Sequence, residues 1–144
     1  APRPNVESLA RRMASSADGT RKTAATGPKS SSRYAGEPGG TGALLRMKFS
    51  ERLCREGGVI CGQALMAFAD SAMVFAVCAA SGRYRPMTTV DQTTHFLKPV
   101  SKADVLADAR IVRLGRTMAF GRVTLSGAAD GKPVAMVSSA YALL

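Results

Sequence analysis

The chain is short of several residue types, and each shortage closes off a class of function. It has no tryptophan and one histidine in 144 residues, three cysteines, and half as many acidic as basic side chains. The cysteines, Cys54, Cys61 and Cys78, are odd in number and lack C-x-x-C spacing. That argues against a disulfide framework and against a zinc site, so no metal is expected, and a reducing cytoplasm is the simplest home. Few aromatics leave a core of Ala, Val, Leu and Met. The shortage of acids gives a formal charge of +10, which favours anionic partners. The charge is nevertheless spread: residues 1–43 hold seven basic and three acidic residues, the remainder thirteen and seven. With no compact basic run and no aromatic-flanked RNA motif, specific nucleic-acid binding is not expected. The N-terminus has no apolar core of the signal-peptide type.

Length sets one domain with room for one core. Residues 1–43, rich in Ser, Thr, Gly, Pro and Arg, hold too little apolar surface to offset ordering entropy and are expected to be disordered, apart from a short helix over "NVESLARRMA". Residues 44–144 are patterned. "ALLRMKFSERL" alternates Leu45, Met47 and Phe49 with Arg46, Lys48 and Ser50, a half-buried strand. The run Gly57 to Gly82 is rich in Ala, Leu and Met over about five turns and predicts a helix from near Gly62. With apolar residues on nearly every side, this helix should be central and enclosed. "SGRYRP" ends it. Strands follow over "MTTVDQTTHFL", "DVLADARIVRL", "TMAFGRVTLSGA" and "PVAMVSSAYALL", the last two joined by a hairpin turn at "ADGK". Strand, long helix, then antiparallel strands describe an α+β domain with one helix lying on a sheet.

Within that apolar run the one charged residue is Asp70. An ionised acid buried without a partner costs several kcal/mol, so its presence there calls for a chemical reason. A membrane span over 59–80 is opposed by the same acid, by about 2.5–3.5 kcal/mol. If the helix starts near Gly62, Asp70 lies about 12 Å along its axis. The helix N-terminus, with unpaired N–H groups, suits a developing oxyanion. One helix cannot bring both its tip and its own Asp70 within about 3–3.5 Å of one carbonyl. Two antiparallel copies can, which points to a site shared across a two-fold axis.

The ordered segments "GGVICGQALMAFADSA", "TTVDQTTHFLKPV", "RIVRLGRTMAFGRVTL" and "GKPVAMVSSAYAL" resemble the hotdog-fold acyl-CoA thioesterases of the phenylacetate-degradation (PaaI-like) family over residues 43–144. The resemblance implies an antiparallel sheet wrapped around a long central helix. It places Asp70 at the family's catalytic acid position, as general base or nucleophile, and Gly62 as the backbone N–H donor to the thioester carbonyl. Thr89 matches a Ser/Thr that helps hold the attacking water. Lys98, Pro99, Arg113, Gly115, Arg116 and Thr117 match segments that contact the nucleotide end of coenzyme A. Three positions depart from the pattern: Cys61 stands for the motif's His, Gln63 for its second Gly, and Arg55 or Glu56 for the Asn or Gln that many relatives carry shortly before it. The implied activity is hydrolysis of an acyl- or aryl-CoA by a homodimer or dimer of dimers, with coenzyme A entering as part of the substrate and no separate cofactor.

Other readings stand beside this one. Cys61 at a helix N-terminus has the setting of a nucleophile, but is better read as a small buried residue or backbone contributor. His95, alternating with Phe96, is read as structural; a hotdog dehydratase would carry its His where this chain has Cys61. Met66, Phe68, Met73 and Phe75 read as core or acyl-pocket wall. A non-catalytic hotdog module that binds acyl-CoA is the main alternative to an enzyme.

Overall fold

The computed structural model describes residues 42–144. The expectations for the N-terminal segment fall on residues 1–41, outside the described residues; Gly42 and Ala43 already belong to the first strand. The elements are β1 (Gly42–Met47), a 3-10 turn (Glu51–Leu53), β2 (Cys54–Arg55), β3 (Val59–Ile60), α1 (Gly62–Ser81), β4 (Met87–Phe96), β5 (Val105–Leu114), β6 (Met118–Gly127) and β7 (Pro133–Leu143). Five strands form one antiparallel sheet in the order β1-β5-β6-β7-β4, and β2 and β3 pair separately.

The strand expected to continue through residue 53 stops early. Ser50 takes an extended N-cap conformation, and its hydroxyl accepts from the Arg52 N–H. A short polar side chain thus offers the backbone an alternative to the ladder. Asp104, in the loop before β5, secures the same corner by accepting from Arg46 Nε and from the Phe49 N–H, both at 2.8 Å. These bonds, the Phe49 N–H first and Arg46 next, hold its carboxyl below the ordinary value. A depressed folded-state value adds stability above the ordinary carboxylate range, and that stability is lost as pH falls through the folded value. Asp104→Asn should therefore melt below the parent at pH 7, with the gap closing in acid; melting curves over a pH series check this, and a gap that widens in acid would contradict it.

The helix runs from Gly62 to a left-handed Gly82, whose N–H bonds the Ala79 carbonyl. Leu65, Ala69, Ala72, Met73, Ala76 and Val77 form one buried stripe. It packs on the alternating inner face of the sheet, where Val105, Ala107, Ala109, Val123, Leu125 and Tyr141 are buried. Gly121 leaves room for Met73, whose thioether would overlap any side chain there. The opposite side of α1 is not enclosed: Gln63, Met66, Ala67 and Ser71 are exposed. One chain thus covers one face of a helix that the sequence paints apolar all round. The helix is long and apolar enough to cross a membrane by length and composition, yet its stripe is docked on the sheet.

Candidate active site

Asp70 sits on the side of α1 turned toward β4 and β7. Strand register places Thr89 of β4 directly opposite Tyr141 of β7 on the inner face. Both hydroxyls reach one oxygen of Asp70: Thr89 Oγ1 donates to Oδ1 at 2.9 Å and Tyr141 Oη donates to the same Oδ1 at 2.7 Å. The tyrosine hydroxyl also lies 3.4 Å from the Asp70 carbonyl oxygen. Tyr141 is 1% exposed. Burial, and secondarily the carboxylate that accepts its hydrogen bond, drive its hydroxyl well above the ordinary phenol range, so it stays a donor. The register shifts by one residue between Thr89 and Asp91, which leaves Val90 outside the paired ladder.

The helix leans toward β1 and β5 rather than β4. The gap on the β4 side is a shallow cleft of about 280 Å³, lined by Met66, Ala67, Asp70, Thr89 and Gln92. Gln92 Nε2 donates to the Met66 carbonyl at 3.1 Å. Of the other candidate pocket-wall residues, Met73 is in the core, while Phe68 and Phe75 are half-buried against it.

The helix tip builds a second cleft, of about 390 Å³, whose lining includes Gly62, Phe96, Lys98 and Pro99. Cys61 is the N-cap; its side chain makes no capping bond, while its N–H donates to the Leu53 carbonyl at 2.8 Å. The first N–H groups of the helix therefore gain no side-chain acceptor from the cap. Gly62 lies close under the Phe96 ring: a Cβ there would lie 2.9 Å from Phe96 Cζ, so the ring would have to turn aside. Lys98 is engaged with Asp130 at 2.9 Å.

Arg113, Gly115, Arg116 and Thr117 lie at the opposite end of the sheet, on and beside the β5–β6 turn. Ala107 shares a row with Phe96 through the ladder, and six extended residues separate it from Arg113, about 20 Å. One chain therefore does not join Lys98 and Pro99 to the arginine-bearing turn. Arg85, from the loop after α1, joins that turn instead, donating to the Arg116 carbonyl at 3.0 Å. Arg113 and Arg116 are exposed. His95 pairs with Met136 on the outer face, opposite in parity to Tyr141, so it is turned away from Asp70.

Sequence reasoning missed Tyr141, Gln92 and Arg85. A signal existed for the first: in "VSSAYAL" the tyrosine falls in phase with Val137 and Leu143, and a buried tyrosine hydroxyl needs a partner. Nothing local marked the other two.

The sequence family described as the thioesterase superfamily matches residues 57–133. The chain belongs to the thioesterase superfamily. Among solved structures it is similar to zebrafish thioesterase superfamily member 2, with 26% identity over 76% of this chain and 78% of that one and a TM-score of 0.69. A mutant of the phenylacetic acid degradation protein PaaI of Thermus thermophilus is 27% identical over 74% of this chain and 87% of that one, with a TM-score of 0.64. The PaaI protein of E. coli shares the fold at 17% identity, over 71% of this chain and 72% of that one, with a TM-score of 0.64. Among curated proteins none matches. The architecture, an antiparallel sheet with one long helix packed on it, is that of the PaaI-like hotdog thioesterases. Membership of this superfamily brings thioester hydrolysis as the general chemistry of the family.

Proposed function

We propose that this thioesterase hydrolyses acyl- or aryl-CoA thioesters at a site shared by two copies of the chain, with Asp70 as the reacting acid. The observation that carries this reading is the Asp70 carboxylate, held by Thr89 and Tyr141 at an open cleft. In this reading Asp70 either takes a proton from a water whose oxygen attacks the thioester carbonyl, or attacks that carbonyl itself to form a mixed anhydride that water then hydrolyses. In both the C–S bond breaks, the free acid is released, and coenzyme A leaves as the thiol with a proton that comes from the water. The backbone N–H of Gly62 stabilises the oxyanion.

The geometry supports sharing. Gly62 lines one cleft with Phe96 at one end of β4, and Asp70 bonds Thr89 at the other. β4 is an edge strand ten residues long. An unpaired edge of that length is a template for another strand. Two β4 edges paired antiparallel about their midpoint bring the Phe96 end of one beside the Thr89 end of the other. Each helix tip then approaches the other protomer's Asp70, closing the gap of about 12 Å that one helix cannot close. The same pairing offers a cover for the exposed side of α1.

The arginine-bearing turn fits the phosphates of coenzyme A, because guanidinium groups bind phosphate oxygens in a bidentate way. Among the described residues neither Arg113, Arg116 nor Arg85 forms an ion pair with a carboxylate. Arg113→Ala and Arg116→Ala should each raise KM for an acyl-CoA by about tenfold, the size of one charged hydrogen bond, with kcat little changed. The effect should vanish for the pantetheine thioester of the same acyl group, which lacks the nucleotide. An equal KM rise for both substrates would remove the turn from the coenzyme A site. Release of free thiol from a panel of acyl-CoA thioesters tests the activity itself. Binding without turnover would favour a ligand-binding module, the reading that the uncapped Cys61 at the helix tip otherwise recommends.

A further inference from the structure

Tyr141 is buried beneath the cleft with its hydroxyl on Asp70. We propose that Tyr141 is a positioning residue that, together with Thr89, occupies Oδ1 of Asp70 and so assigns the chemistry to Oδ2. The inference rests on Asp70 being the reacting acid.

Both hydroxyl donors converge on a single oxygen, at 2.7 Å from Tyr141 and 2.9 Å from Thr89. Among the described residues Oδ2 receives no side-chain hydrogen bond and enters no ion pair. A carboxylate rotates about its Cβ–Cγ bond, and two donors on one oxygen stop that rotation. They also hold the negative charge's hydrogen-bonding demand on the non-reacting side, leaving the lone pairs of Oδ2 for water or a carbonyl carbon.

The device is built into the sheet rather than a mobile loop. Tyr141 and Thr89 are cross-strand partners, and Tyr141 is paired on its other side with Ala119 of β6. The tyrosine ring lies in the core. Such support is what keeps a reacting group within the fraction of an ångström that catalysis requires.

No other charged group competes for this role. α1 has no second charged residue and β7 has none. Asp91 of β4 and Arg122 of β6 lie on the outer face of the sheet. Tyr141 is thus the one titratable side chain of these elements in contact with the carboxylate.

The test is Tyr141→Phe, which keeps the ring and removes one oxygen, measured beside Asp70→Asn by thiol release from an acyl-CoA. Tyr141→Phe should lower kcat about tenfold and leave KM within about twofold, the loss of one charge-assisted hydrogen bond. Melting curves of parent and variants give the folded fraction to which kcat is referred. A merely structural tyrosine would lower the melting temperature and leave kcat per folded chain at the parent value. Thr89→Val, which removes the second hydroxyl, should repeat the Tyr141→Phe result, and Thr89→Ser, which keeps a hydroxyl, should recover activity relative to Thr89→Val. This pair reads out the same device should the Phe variant not fold. A dead Asp70→Asn with parent-like Tyr141→Phe and Thr89→Val overturns the positioning role alone. A fully active Asp70→Asn overturns it together with the reading of Asp70 on which it rests.

Discussion

Asp70→Asn is expected to lower kcat for acyl-CoA hydrolysis by about 10³-fold, within the range that a positioned acid or base contributes. The amide cannot take a proton from water and is a poor nucleophile, so both versions of the chemistry fail together. Folding should survive. The Asn carbonyl oxygen still accepts from Tyr141 and Thr89, and the site opens on a cleft rather than lying sealed in the core. The check is thiol release by parent and variant at matched concentration, with a melting curve to show that the variant is folded. Turnover within about threefold of the parent would mean that this carboxylate serves structure alone.

The second large effect concerns the pairing of chains. Gly62→Pro removes the N–H proposed as oxyanion donor, and proline is tolerated at a first helical position. Its ring meets Phe96, which is 53% exposed and has room to turn outward. This variant should lose about 10²–10³-fold in kcat, the usual worth of one oxyanion donor. The decisive measurement mixes it with Asp70→Asn under conditions of subunit exchange. If each site takes its carboxylate from one chain and its helix tip from the other, a mixed dimer carries one doubly defective site and one intact site. Random exchange should then restore about a quarter of parent activity, since about half the dimers are mixed and each keeps one of two sites. Two dead proteins that remain dead when mixed, despite proven exchange, would place the whole site within one chain and remove the shared geometry.

Much of the architecture is legible in the amino-acid sequence. The run between Gly57 and Gly82 announced α1 with its start near Gly62, and β-branched content, alternation and the turn at "ADGK" announced the four long strands. These are local signals, readable from side-chain period within a few turns or a few residues of strand. The early end of β1 was not readable in that way, because the alternation of Leu45, Met47 and Phe49 runs straight through it. What bends the chain there is Ser50 on its own backbone and Asp104, far along the sequence. Uniform apolarity around α1 likewise concealed which stripe would meet the sheet. The hydropathy of Met66 and Leu65 is similar, yet one is exposed and the other buried.

The candidate site divides along the same line. Sequence alone determined that an isolated acid would stand two turns into an apolar helix, that a glycine would open that helix, and that the two would be too far apart to meet in one chain. Only the tertiary structure decided what holds the acid. The hydroxyls of Thr89 and Tyr141 come from positions 19 and 71 residues away and meet at one oxygen. It also decided that Lys98 and the turn at Arg113–Thr117 lie at opposite ends of the sheet, and that Lys98 is already matched by Asp130. The physical reason is register. A strand's period says which residues share a face, while which residue stands opposite which is set by the whole ladder and the core beneath it.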